Sequence, residues 1–194
     1  MSDAYRELLL GCGHKRDKLM GLDPGTRPEW HDLTTLDCYP ECKPDWLWNL
    51  NNVPWRGPIK DDHSISPAKI PDDYFDEVHA YEVLEHIGHQ GNVQEFFEHF
   101  GEIYRILKPG GYLFATCPAR QSPWLWGDPS HRRVIQQETL IFLDQSQYTR
   151  QQGKTAMSDF RHIWKGDFKV IASQDNNVNH IFCLQAVKPS RISV

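Results

Sequence analysis

Two glycines flank a cysteine, Gly11-Cys12-Gly13, directly after the apolar run LLL at residues 8–10. Glycine carries no side chain, so a strand that ends in Gly-x-Gly can turn tightly and bring its backbone against a ligand. In an open α/β sheet, ligands bind just outside the carboxyl ends of the strands. Asp37 closes the next β-branched run, LTTL at 33–36. That is near the spacing at which a carboxylate accepts hydrogen bonds from the vicinal hydroxyls of a ribose. Asp23 competes for this role, but it follows the glycines too soon for a crossover between parallel strands, which takes about a dozen residues or more. Further on, GDPSHRR carries Asp128 and His131. A histidine titrates near neutral pH and can take a proton, with Asp128 near enough in sequence to orient it. It can also tie a polar loop to the core, the reading that the need of loops for such ties favours. Cys38 and Cys42, with His31 nearby, are half of a zinc site at most. A structural site takes four ligands at recognisable spacing, and no partner pair exists, so no metal is expected.

The elements around these residues alternate. Residues 6–10 and 33–36 read as strands, as does DWLWNL at 45–50. Residues 51–73, rich in proline and charge, read as a loop. YFDEVHAYEVL at 74–84 reads as a strand running into a helix. The strongest helix pattern covers 93–107, where Val93, Phe96, Phe97, Phe100, Ile103, Tyr104 and Leu107 make one apolar face. Asn92 and Glu95 have the form of a capping box at its start, and KPGG ends it. YLFATCP then reads as a strand, a short helix is expected near 136–144, and FKVIAS and HIFCLQAV form a final strand pair. Strands that alternate with crossovers imply a mostly parallel sheet covered on both faces.

Composition narrows the class. Of the 194 residues, 39% are hydrophobic, and there are seven Trp, enough for a packed core. The net charge of −5 is uneven: the first 118 residues carry −9, while 119–165 carry +3. That excess is too weak to indicate nucleic acid. The five cysteines lack a disulfide framework. No apolar run approaches the ~18 residues of a membrane span, and MSDAYRE has no signal pattern. A cytoplasmic protein without a membrane partner is expected.

In order, LLLGCG, Asp37, DWLWNLNNVPW, FDEVHAYEVLEHI and EIYRILKPGGYLFATCP resemble a class I S-adenosylmethionine-dependent methyltransferase over residues 6–118. The LGCG, VLEH and LKPGG motifs point to a small subgroup of that family. The resemblance implies a doubly wound α/β fold: a seven-stranded, mostly parallel sheet with a reversed terminal strand and helices on both faces. Residues 1–194 would be a single Rossmann-like domain, with 119–165 a substrate-side insertion. It implies S-adenosyl-L-methionine as methyl donor and an unidentified methyl acceptor. Gly11, Cys12 and Gly13 would wrap the methionine part of the cofactor, and Asp37 would hold the ribose. Asn49 and Leu50 would meet the adenine, and Glu82 would lie beside the reactive methyl. Glu85 and His86 are read as capping and packing. Asp128 and His131 are the catalytic candidates on the acceptor side, and Trp124 and Trp126 form an apolar wall there or pack under the loop. Leu9 stands where the family usually has an acid, and Lys15 where it has a third glycine; the alternative they suggest is a non-catalytic cofactor-binding or scaffold module. Arg16, where a dinucleotide fingerprint needs glycine, disfavours a nicotinamide enzyme.

Overall fold

The computed structural model describes residues 4–23, 28–57 and 68–192. Its main sheet has seven strands. They are β1 (Glu7–Leu10), β2 (Leu33–Asp37), β3 (Trp46–Leu47), β6 (Phe75–Tyr81), β7 (Leu107–Pro118), β8 (Phe168–Asp175) and β9 (Asn179–Ala186). A two-stranded ribbon, β4 (Arg56–Gly57) and β5 (Ala68–Lys69), stands apart. The order across the sheet is β3-β2-β1-β6-β7-β9-β8. All neighbours are parallel except β9, which runs antiparallel to both β7 and β8. The reversed strand is thus last in the chain but second from the sheet's edge. The expected α/β class, with its mostly parallel sheet, is what the chain adopts.

The long helix α1 spans Val93–Ile106. Asn92 caps it by accepting the Glu95 N–H, satisfying one of the helix's orphan donors. The Glu95 carboxylate turns instead to His89 Nδ1, at 2.9 Å. Phe97, Phe100 and Ile103 are buried and belong to the main core. On the sheet side that core holds Leu8, Leu10, Val78, Leu113 and Phe182. The expected helix near 136–144 is α3 (Gln137–Leu140) followed by a 3-10 turn, Ile141–Leu143. Two short helices were not foreseen, α2 (Trp124–Gly127) and α4 (Gln145–Gln151). The strand read at 45–50 forms only at Trp46–Leu47, and the helix expected after β6 is a single 3-10 turn, Leu84–His86. Residues 58–67 of the expected loop lie outside the described residues.

The opposite face of β1 and β6 is covered differently. The described part of the β1–β2 crossover is irregular chain, pinned by side chains. Glu7 and Glu77, both buried, point to this face. The Lys18 ammonium bridges them, bonding Glu7 and standing 2.7 Å from Glu77 Oε2. Tyr5 Oη donates to Glu77 at 2.8 Å, and His79 Nε2 lies 2.9 Å from it. The Tyr81 hydroxyl contacts His79 Nδ1 at 2.6 Å and accepts the Leu19 and Met20 N–H groups. Trp30 packs edge-on to His79, its ring under the Lys18 ammonium. Burial alone would raise the Glu77 carboxyl, but the hydrogen bonds from His79, Lys18 and Tyr5 outweigh it and hold it at about 2. Burial keeps His79 below its ordinary value, so it is neutral.

Candidate active site

Register brings the glycine loop, Asp37 and Glu82 to one edge. Leu10 pairs with Leu36 on one side and Ala80 on the other. The residues that follow, Gly11, Asp37 and Tyr81-Glu82, therefore emerge together at the carboxyl ends of β1, β2 and β6. A cavity of about 550 Å³ opens there, within the range of small-molecule sites. Gly11 forms its floor, with φ +57°, and a Cβ at that position would run into the Val83 side chain. Gly13 is also left-handed, at φ +50°. The two positions need glycine for their backbone angles, and Gly11 for close packing as well.

Asp37 lines the cavity, and each of its carboxylate oxygens takes one backbone N–H: Oδ2 from Gly13 and Oδ1 from Tyr39, both at 2.9 Å. The carboxylate is 7% exposed, so it is oriented by the chain and opens only toward the groove. Asn49 and Leu50 line the same cavity after β3. Glu82 is in its wall, with φ +54°, a strained value for a residue with a side chain. Three contacts hold it there. Its N–H bonds the Thr116 carbonyl and hydroxyl, and its Oε1 accepts from Asn179 Nδ2 at 2.5 Å.

Of the residues named from sequence, Gly11, Asp37, Asn49, Leu50 and Glu82 meet in this groove. Cys12 is buried beneath it, and Gly13 contributes through its bond to Asp37. Asp128 and His131 are not in its lining, although Pro129 and Ser130 between them are. The Asp128 carboxylate is occupied by Ser130, whose N–H and hydroxyl it accepts at 2.8 and 2.5 Å. Its separation from His131 Nε2 is 3.8 Å, beyond hydrogen-bond length. His131 Nδ1 faces the Leu125 carbonyl at 3.4 Å instead. Trp124 and Trp126 are 63% and 75% exposed, so neither packs under the loop. Lys15 is exposed and Leu9 is buried. Cys38, Cys42 and His31 do not converge as ligands among the described residues.

Several contributors escaped the sequence reading. Tyr39, Trp48 and Arg132 line the groove, as does His86. Tyr39 and Trp48 carried no signal beyond being aromatic residues next to strand ends. The Glu85 carboxylate is fully buried, and its nearest donor besides a thiol is its own backbone N–H. The thiol of Cys117, a weak donor, is its neighbour. Burial pushes the Glu85 carboxyl up to about 8.

A groove at strand carboxyl ends, with a glycine floor and a backbone-anchored aspartate, can hold an adenosyl group. The family profile described as "Methyltransferase domain" matches residues 51–115. Solved structures share the fold. A SAM-dependent methyltransferase from Archaeoglobus fulgidus aligns over 95% of this chain and 86% of its own, with a TM-score of 0.51 and 16% identity. The fold is that of S-adenosylmethionine-dependent methyltransferases. The YcgJ protein of Bacillus subtilis shares it over 96% of this chain and 93% of its own, at a TM-score of 0.52 and 12% identity. So does the 1,6-didemethyltoxoflavin-N1-methyltransferase of Burkholderia thailandensis, solved with bound 1,6-didemethyltoxoflavin and S-adenosylhomocysteine. That alignment covers 95% of this chain and 72% of the other, at a TM-score of 0.52 and 13% identity. A sequence search of curated proteins returns no match. The profile match spans β6, α1 and most of β7, but not the glycine loop or Asp37. Among the described residues, no helix is long and apolar enough to cross a membrane.

Proposed function

We propose that the protein is an S-adenosylmethionine-dependent methyltransferase whose cofactor lies in the groove between Gly11 and Glu82. The observation that carries this reading is the Asp37 carboxylate, fixed by the Gly13 and Tyr39 amides with its free lone pairs turned to the cavity. A ribose with two vicinal hydroxyls satisfies such a carboxylate. Asn49 and Leu50 take the adenine side, and the Gly11–Gly13 backbone takes the methionine side. When bound, the cofactor supplies an activated methyl that passes to a nucleophile in line with its sulfur. The protein's tasks are to align and to exclude water. Glu82, held by Thr116 and Asn179, stands at the methyl end. The acceptor enters beside Pro129 and Ser130, from the 119–165 segment that joins β7 to β8. His131 stands behind this entrance with Nε2 free of a hydrogen bond to Asp128. Asp128 serves the loop itself.

Thermal unfolding with S-adenosylmethionine and with S-adenosylhomocysteine tests the proposal. A ligand that binds only the folded state raises the midpoint in proportion to the logarithm of its concentration over Kd. A rise with both ligands is expected, and it should be lost in Asp37→Ala. No rise with either would overturn the reading in favour of a scaffold module.

A further inference from the structure

Glu85, His86 and His131 offer three ligand atoms that all lie within 4.8 Å of one another. We propose that they form a binding site for a single divalent transition-metal ion of the zinc class, set directly behind the acceptor end of the groove.

Four features of the cluster support this. First, Glu85 is a buried carboxyl with no strong side-chain partner, only its own backbone N–H and the Cys117 thiol as near donors. In its ionised form such a group needs a paired charge, and a cation is a partner that both oxygens can bind. Second, both imidazoles are tautomerically set. His131 Nδ1 faces the Leu125 carbonyl at 3.4 Å, and His86 Nδ1 faces the Ser130 carbonyl at 3.3 Å and its hydroxyl at 3.1 Å. A carbonyl only accepts, so Nδ1 is the donor toward it in each ring, and in the neutral imidazole Nε2 is left as the ligating nitrogen. Metal-bound histidines are oriented in this way by an outer carbonyl or carboxylate.

Third, the backbone is already locked. The Arg132 and Arg133 N–H groups bond the Glu85 carbonyl at 2.8 and 3.1 Å, fastening the 3-10 turn to the 131–133 segment. Fourth, the spacing is close. His86 Nε2 is 3.9 Å from Glu85 Oε1, and the two imidazole centroids are 4.7 Å apart. Ligands at about 2.0–2.2 Å around a tetrahedral ion stand roughly 3.4 Å from each other, so small side-chain rotations close the shell. Two histidines and one glutamate leave a position open, as catalytic zinc sites do. His86 is in the groove wall, so the open position faces the acceptor. An oxygen or nitrogen acceptor bound there would lose its proton more readily. That use rests on the methyltransferase reading; the metal site itself does not.

A chemically similar trio, Glu7, Glu77 and His79, also converges. It is closed to a cation because the Lys18 ammonium already sits between the two glutamates.

The test is a cobalt(II) titration of the full chain after chelator treatment, followed by visible absorption, with no cofactor present. One equivalent should bind and give the bands of a low-coordinate Co2+ site, and zinc should displace it. Glu85→Gln and His131→Ala should each weaken binding by roughly tenfold or more. His162→Ala removes an exposed histidine outside the cluster and should change nothing. His86 is partly exposed, so His86→Ala is the variant that tolerates substitution if the buried ones fail to fold. Cobalt binding in folded His86→Ala equal to that of the parent, or no stoichiometric binding by the parent, would overturn the proposal. Because no S-adenosylmethionine is present, that result is independent of whether the cofactor binds.

Discussion

Two glutamate–histidine clusters lie in this protein, one on the sheet and one past its edge, and they differ in one respect that decides their roles. Around β1 and β6, Glu7, Glu77 and His79 are closed by Lys18, Tyr5 and Tyr81. Each carboxylate there has a partner, and the irregular crossover between β1 and β2 is fastened to the sheet by these bonds. Past the end of β6, among the described residues no lysine or arginine pairs with the Glu85 carboxyl. The same residue types thus make a structural clamp where a lysine reaches them and an unsatisfied, reactive pocket where none does. Buried ionic groups are neutral to stability when fully paired, and severe when one partner is removed. The clamp is in the first state, and Glu85 avoids the second because burial raises its carboxyl to about 8 and so keeps it neutral.

The largest effect should come from opening the clamp. Lys18→Met leaves two buried carboxylates facing each other, and loss of one partner from a buried ion pair costs about 3–5 kcal/mol. Urea unfolding of parent and variant would show it as a lowered midpoint. An unchanged midpoint would mean that the crossover is not held by charge. Asp37 is a third case, half satisfied by backbone amides and half open. Asp37→Ala should weaken S-adenosylhomocysteine binding by roughly ten- to hundredfold, since a hydrogen bond to a charged group is worth ~1.5–3 kcal/mol. Isothermal titration on the folded variant measures it, and parent-like affinity would move the ribose site elsewhere.

Acid should distinguish the clusters more gently. The folded protein keeps Glu77 ionised down to about 2, whereas its ordinary value is 4.5. Its contribution is therefore complete above 4.5 and is lost as pH falls from there toward 2. His79, held neutral by burial against an ordinary value of 6.5, acts in the same direction below 6.5, because the unfolded chain takes up that proton. Stability measured from pH 7 to pH 3 should fall in the parent and fall less steeply in Glu77→Gln. Parallel curves would show that Glu77 is not the acid-sensitive group. The smallest effect should be Glu85→Gln in metal-free protein. No ion pair is broken and no partner is orphaned, so the change should stay within about 1 kcal/mol. A loss as large as that of Lys18→Met would reveal a partner for Glu85 and erase the contrast between the clusters.

Much was legible from local chemistry. The 3.6-residue apolar period placed α1 at Val93–Ile106 nearly to the residue, because a single buried stripe dictates it. Gly11, Gly13 and Asp37 were readable because a strand end, a left-handed turn and a carboxylate each carry a local requirement. The short helices α2 and α4 carried no sustained period and were missed. The 3-10 turn at Leu84–His86 resembled the start of a helix that the following glycines prevent.

By itself, then, the sequence determined the long helix, most strands of the main sheet, and the glycines that their own backbone angles require. Only tertiary structure decided which carboxylates are neutralised. Lys18 reaches Glu7 and Glu77 because β1 and β6 are neighbours in register, with Glu7 opposite Glu77. His131 reaches Glu85 because the chain after β7 returns over the end of β6, where the Arg132 and Arg133 amides fasten it to the Glu85 carbonyl. Charge pairing acts across a few ångströms of space and not along the chain. The partner that makes one glutamate inert and leaves another exposed to chemistry is therefore chosen by the fold.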